Sequence, residues 1–394
     1  MMTWSKAHGR IEQMVDTITG AGRGTTSVYN RIGVRTIVNA RAATTAVGGT
    51  LMPPEVVEAM IEASNGYVVI EELNAAVGEL IARCTGAEAG YVTAGSAAGM
   101  LLAVAACMTG TDPVKIKRLP DSDGMPNEVI IHRAHRINYD QMFRAPGARL
   151  VEIGIPNGTH AWELETAINE RTAAVAFVDS PSVGSGALDF ATVVEIARRH
   201  DVPVIVDAAS TLPPVSHLQR WIAWGADLAI YSGGKGIRGP QDSGLLAGRR
   251  DLIAAAAANG APNGAIGRGM KVSKEAMAGL YVALERFMSH DHEQEFQTQR
   301  EWADVIWEGI ASHPDVDCDI IADQARYPAP VVLARPRNGA WDPAAVQTLL
   351  TLGSPSVHVN ANASGLEIHT HCLLEGQAHV ISAALRAALN TGAG

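Results

Sequence analysis

The chain has 394 residues, 47% of them hydrophobic and 18% charged, and a formal net charge of −10. That length allows two or three domains with ample core, and the composition is globular rather than disordered. The acidic balance argues against wrapping a nucleic-acid backbone, whose affinity comes from clustered Lys and Arg, but leaves room for a local pocket for a small anion.

Four cysteines, Cys84, Cys107, Cys318 and Cys372, are scattered without paired spacing, which suits a reducing compartment. The N-terminal MMTWSKAHGRIEQ has no apolar h-region, and no uninterrupted apolar run reaches transmembrane length. A cytoplasmic protein with neither a membrane nor a nucleic-acid partner is expected.

In chain order, a helix is predicted at Ile11–Thr19 and a short strand at Thr36–Asn39, followed by the small, polar loop NARAATTAVGG. Pro53 and Pro54 open a helix with Val56, Val57, Met60 and Ile61 on one face. A second helix covers Glu71–Cys84, with Leu73, Val77, Leu80 and Ile81 at helical spacing. Then come a strand, Ala89–Thr93, the turn Ala94, Gly95, Ser96, Ala97, and an apolar helix, Ala98–Met108. A strand, a glycine turn with a small hydroxyl residue and a helix N-terminus is an arrangement that binds phosphate through free N–H groups and the helix dipole. A Gly-Ser cap without a ligand fits the same residues.

From there strands and helices alternate. Strands are predicted at Glu128–Ile131, Arg149–Ile153, Ala173–Val178, Pro203–Val206, Asp227–Tyr231 and Leu245–Ala247, with helices at Ile137–Phe143, Ala161–Asn169 and Phe190–His200. The alanine run Ala254–Ala258 reads as helix interior. Such alternation implies an α/β fold with a mostly parallel central sheet, helices on both faces, and ligands at the carboxyl ends of the strands. Near residue 270 the pattern changes to long helices, Ser273–Met288 and Glu295–Ile310. Strands at Val331–Ala334, Ser356–Asn360 and Leu366–Thr370 and helices at Pro343–Leu350 and Gln377–Leu389 follow. This predicts an N-terminal arm over 1–45, a large domain over 46–290 and a smaller α+β C-terminal domain over 291–394.

The segment YSGGKGIRGPQDSG, Tyr231–Gly244, sets one lysine, Lys235, among glycines. Upstream, PVIVDAAS holds a short apolar strand ending in Asp207. A lysine held in a buried turn has a lowered pKa and forms Schiff bases with carbonyl compounds. A strand-end carboxylate and such an amine suit the two ends of a pyridoxal phosphate ring, the acid holding the pyridine nitrogen protonated and the amine making the imine. A solvated surface-loop lysine is the competing reading. Gly95, Asp207 and Lys235 all follow directly on predicted strands, so one pocket can hold all three. SGGKG is not a P-loop, because Gly236 follows the lysine, and no G-x-G-x-x-G opens a helix after the first strand. His369, His371 and Cys372 lack a second ligand pair, so no metal site is expected. His132 and His135 fit core or surface positions, but an imidazole at 135, just past the second core strand, can also stack on a flat cofactor ring.

Together TAGSAAG, HRAHRINYD, VIVDAAS and SGGKGIRGPQDSG resemble the fold-type I pyridoxal phosphate enzymes, and within them the branch of selenocysteine synthase and the D-glucosaminate-6-phosphate ammonia-lyases. IVNARAATTAVGG, IEELNAAVGELIARCTGAEAGYVTAG and IGRGMKVSKEAMAGL extend the resemblance from about residue 30 to about 390. It implies that Lys235 forms the Schiff base, that Asp207 pairs with the pyridinium nitrogen and that His135 stacks on the ring. Gly95, Ser96 and Ala97 would hold the phosphate with Ser232, and Ser210 would contact the ring hydroxyl. It also implies at least a homodimer, with Glu71–Leu80 and Ile266–Lys271 as candidate contacts. Where relatives have a Gly-Thr pair in the early loop this chain has Ala42 and Ala43 after Arg41. Where selenocysteine synthases have a C-terminal arginine it has His371. Arg268, Arg41 and His371 are therefore the candidate substrate residues. The expected activity is β-elimination from a 2-amino-3-hydroxy acid or amino-sugar acid, giving a keto acid and ammonia. Racemisation or retro-aldol cleavage is the alternative, and a catalytically degenerate binding protein a second one.

Overall fold

In the computed structural model, which describes residues 27–324 and 327–391, the chain divides into two units. One is Gly48–His290; the other combines the described parts of Met1–Val47 and Asp291–Gly394. The helix expected at Ile11–Thr19 lies outside the described residues.

The first unit is built on seven strands: β1 (Ala89–Thr93), β2 (Glu128–His132), β3 (Arg149–Ile153), β4 (Thr172–Val178), β5 (Val204–Asp207), β6 (Leu228–Ser232) and β7 (Gly244–Gly248). They form one sheet in the order β1-β7-β6-β5-β4-β2-β3, in which β7 runs antiparallel to both neighbours and every other pairing is parallel. Strands β5 and β6 are buried along their whole length. They read as continuous apolar runs rather than alternating ones because helices cover both faces of the sheet.

On one face, helices Ile70–Thr85, Phe190–Arg199, Val215–Ala223 and Lys274–Ser289 pack with Val175, Phe177, Val206 and Tyr231. On the other, helices Gly95–Thr109 and Arg250–Asn259 pack with Val129, Ile131, Ile205 and Ile230. Gly95–Thr109 is buried over nearly its whole circumference, so its sequence shows no polar face.

The structure departs from the sequence reading in several places. Ile137–Phe143 is not one helix: a 3-10 turn at Arg133–His135 and a short helix at Gln141–Arg144 replace it. Arg136 bonds to both Asp140 and Glu152, which ties the intervening residues into a loop. Helices Pro113–Arg118 and Val215–Ala223 and the strand Val316–Ile321 were not expected. The single apolar face expected for the helix Pro54–Ser64 is split. Val56 is buried, while Val57 and Ile61, four residues apart and so on one stripe, are 38% and 60% exposed. Leu51, Tyr67, Val68 and Val69 are exposed as well.

The second unit carries a four-stranded antiparallel sheet in the order Asn360–Asn362, Gly365–His369, Val331–Pro336, Val316–Ile321. Helices His292–Ile310, Pro343–Leu352 and Gln377–Thr391 accompany it. The described part of the expected N-terminal arm belongs to this unit: Val38–Asn39 pairs in parallel with Val357–His358. Among the described residues no helix is long and apolar enough to cross a membrane.

Candidate active site

The register of the sheet brings several candidate residues to one edge. Thr93 of β1 and Ser232 of β6 both pair with Gly244 of β7, Ile230 pairs with Asp207, and Asp207 pairs with Val178. The turn after β1, the lysine loop after β6 and the carboxylate ending β5 thus leave the sheet side by side, at the carboxyl ends of the parallel strands.

Asp207 is 5% exposed, and its Oδ1 accepts the Ala209 N–H at 3.1 Å. Burial pushes its pKa up to about 6, against the opposing pull of the Ala209 N–H and the Lys235 charge. Lys235 donates from Nζ to Ser210 Oγ at 2.8 Å. Burial lowers the pKa of its amine, while Asp207 holds it up. A β-carbon on Gly236 would sit 2.3 Å from the Leu212 carbonyl oxygen, so the residue after the lysine has to be glycine. Thr50, which sequence reasoning did not single out, fixes the loop by donating from Oγ1 to the carbonyls of Gly234 (3.1 Å) and Lys235 (3.0 Å). Its only signal in the sequence was a hydroxyl residue closing the Gly48-Gly49 pair.

Gly95 opens the long helix with φ +72, a left-handed conformation that glycine adopts without steric cost. The cap residue, Ala94, provides no side-chain hydrogen bond. The first N–H groups, at Ser96 and Ala97 among them, are therefore left uncapped at the positive end of a buried helix. His135, 3% exposed in the 3-10 turn after β2, accepts the Val178 N–H at Nδ1, 3.2 Å away. Burial, followed by its neighbour His132, brings its pKa down to about 3. The ring is therefore neutral, with its proton on Nε2.

These residues fit pyridoxal phosphate. A buried carboxylate lacking a full ion pair needs a cationic partner, which a pyridinium N–H provides. The uncapped helix end suits a phosphate, and the half-desolvated amine suits an imine.

Arg268 is exposed and lines a cavity of about 210 Å³ with Ile70, Thr93, Lys271 and Met277; Lys235, Asp207 and His135 are not part of that lining. Arg41 and the buried His371 belong to the other unit, where Arg41 Nε donates to Asn360 Oδ1 at 3.0 Å.

The chain has clear relatives among known proteins. The model of the L-seryl-tRNA selenium transferase (SelA) family matches residues 36–300. A D-glucosaminate-6-phosphate ammonia lyase of Salmonella typhimurium is 37% identical over 76% of this chain and 80% of its own length. A 5'-C-glycyluridine monooxygenase-decarboxylase of a Streptomyces species is 40% identical over 70% of this chain and 69% of its own. The solved structure of a D-glucosaminate-6-phosphate ammonia-lyase superposes with a TM-score of 0.82 at 33% identity, over 94% of this chain and all of that one.

Proposed function

The chain belongs to the L-seryl-tRNA selenium transferase (SelA) family and has the fold-type I pyridoxal phosphate enzyme fold, and from that premise we propose that it is an ammonia-lyase acting on an amino-sugar acid. The observation that carries the reading is the register that sets Asp207, Lys235 with Ser210, and the uncapped Gly95 helix end side by side. Pyridoxal phosphate, when bound, supplies the electron sink that acidifies a Cα–H next to the amino nitrogen.

In this reading Lys235 holds the cofactor through its amine and afterwards moves the Cα proton. Burial lowers the pKa of that amine, which favours its neutral, proton-accepting form. Asp207 would keep the ring nitrogen protonated, and His135 would help hold the ring and keep water out. The N–H groups of Gly95, Ser96 and Ala97, with Ser232, bind the phosphate, and Ser210 orients both the amine and the ring hydroxyl. The substrate loses its Cα proton and its β-hydroxyl as water, and the enamine product hydrolyses to a keto acid and ammonia. Arg268 and His371 are the candidates for the substrate carboxylate. A raised KM in Arg268→Lys selects the first, and a raised KM in His371→Ala the second. We also propose a homodimer, supported by the exposed apolar residues Leu51, Val57, Ile61, Tyr67, Val68 and Val69.

Release of stoichiometric ammonia and keto acid from D-glucosaminate 6-phosphate tests this reading; no release from any amino-sugar acid or hydroxy amino acid overturns it. The 40% identity to a monooxygenase-decarboxylase favours a second reading, oxidative decarboxylation of an amino acid. Oxygen uptake during turnover separates the two.

A further inference from the structure

The helix Ile70–Thr85 lies along the outer edge of β1, an edge strand of the seven-stranded sheet. Its approach is close. A β-carbon on Gly78 would sit 2.2 Å from the Gly90 carbonyl oxygen, and one on Gly90 would sit 2.6 Å from the Ile81 side chain. At that separation the short side chain of Asn74, which is buried, reaches the backbone of the strand. Its Oδ1 accepts the Val92 N–H at 3.0 Å and its Nδ2 donates to the Val92 carbonyl at 3.3 Å. The carboxamide thus takes the place of a further strand. Asparagine is a poor helix former, so what this residue contributes lies in the strand it holds and not in the helix that carries it.

A peptide group is planar and trans, so fixing a carbonyl also fixes the N–H of the residue that follows. Asn74 holds the peptide between Val92 and Thr93 in this way, and with it the backbone of Thr93. Thr93 is buried, and its Oγ1 donates to the Gly95 carbonyl at 2.8 Å. That bond holds the peptide between Gly95 and Ser96. It therefore sets the direction of the Ser96 N–H, one of the uncapped groups at the start of the helix Gly95–Thr109. Strand β7 bears on the same peptide: a β-carbon on Gly244 would sit 2.5 Å from the Gly95 carbonyl carbon. Closing a sheet edge against other chains would account for Asn74. It does not account for Thr93, whose hydroxyl carries the constraint past the end of the strand and into the turn.

We propose that Asn74 and Thr93 are positioning residues of the phosphate-binding turn, which together fix the direction of the Ser96 N–H that receives the phosphate of the cofactor. The proposal rests on the reading of Gly95, Ser96 and Ala97 as phosphate donors.

In the test, the full chain stripped of cofactor is titrated with pyridoxal phosphate and, separately, with pyridoxal, and the visible absorbance band reports binding. Asn74→Ala removes both hydrogen bonds to Val92. Thr93→Val keeps the shape of the side chain and removes only the hydroxyl. In each variant the affinity for pyridoxal phosphate should fall about tenfold, while the affinity for pyridoxal, which lacks the phosphate, is kept. A residue that merely held the strand in place would lower both affinities together, so a parallel loss, or no loss, overturns the proposal. A selective loss in one variant and not the other overturns the linkage between the two residues. If Asn74→Ala does not fold, Asn74→Asp takes its place with the same expectation, since it keeps the acceptor for the Val92 N–H and sets a charge against the Val92 carbonyl. Ser96→Asp tests the underlying reading, because a carboxylate there repels phosphate at the turn itself. A preference for pyridoxal phosphate over pyridoxal that survives Ser96→Asp moves the phosphate elsewhere and overturns both the reading and the proposal. A preference lost in Ser96→Asp but kept in the Asn74 and Thr93 variants overturns the proposal alone.

Discussion

Replacing Asp207 by asparagine should stabilise the cofactor-free protein at neutral pH while weakening its hold on the cofactor. The carboxyl has an ordinary pKa of 3.8, and burial raises it to about 6 in the folded state. Between these values the folded chain binds more protons than the unfolded one, so stability falls as pH rises through this window. Above pH 6 the full cost of the buried charge is in place, and below about pH 4 it is absent. A shift of this size corresponds to about 3 kcal/mol. The asparagine amide has the shape of the carboxyl group and keeps an acceptor for the Ala209 N–H, so Asp207→Asn removes this cost. Part of the gain is offset because Lys235 loses its attracting neighbour, which makes about 3 kcal/mol an upper bound. Urea melts of the apo parent and variant at intervals from pH 4 to pH 7.5 read the difference directly. The two should coincide near pH 4 and diverge up to pH 6–7, with the variant the more stable. In the holoenzyme the order should reverse, because the pyridinium nitrogen loses its counter-charge, and turnover should fall by orders of magnitude. An apo variant less stable than the parent at pH 7, or a difference that does not change with pH, would refute the reasoning.

Lys235→Ala should abolish both the visible absorbance band of the purified protein and turnover; a retained band with activity would remove Lys235 from its role. Thr50→Val deletes both side-chain hydrogen bonds to the lysine loop, while the Gly234 carbonyl keeps the Thr50 N–H and the Lys235 carbonyl keeps the Arg238 N–H. It should cost about 0.5–1.5 kcal/mol in denaturant melts and loosen cofactor binding. The His135 ring is neutral across the working range, so kcat/KM should show no inflection from it between pH 5 and pH 8; an inflection that disappears in His135→Phe would contradict that. Ile61→Lys combined with Val69→Lys, both at exposed apolar positions, should dissociate the proposed homodimer in light scattering; an unchanged mass would argue against an interface there.

Much of the site was legible in the sequence because its residues lie at ends of strands, and strand ends are local events. The apolar run before Asp207, the glycines around Lys235 and the strand–turn–helix at Gly95 each announce themselves within ten residues or so. The alternation of strands and helices then requires a parallel sheet whose carboxyl edge collects them. The sequence by itself therefore determined the α/β class, the cofactor, and the lysine and aspartate proposed to serve it.

What only the tertiary structure decided depends on contacts between distant segments. Thr50 holds the Lys235 loop from more than 180 residues away in the chain, and nothing in its neighbourhood reveals this. The pairing of Val38–Asn39 with Val357–His358 joins the early loop to the C-terminal strands, which puts Arg41 beside Asn360 rather than on a free arm. His135 lies in a 3-10 turn rather than before a helix because Arg136 is drawn to Asp140 and Glu152. Which of its ring nitrogens carries the proton is set by the Val178 N–H of a neighbouring strand. Burial and long-range hydrogen bonding are properties of the folded whole, so the charge states of Asp207 and His135 had no counterpart in local pattern.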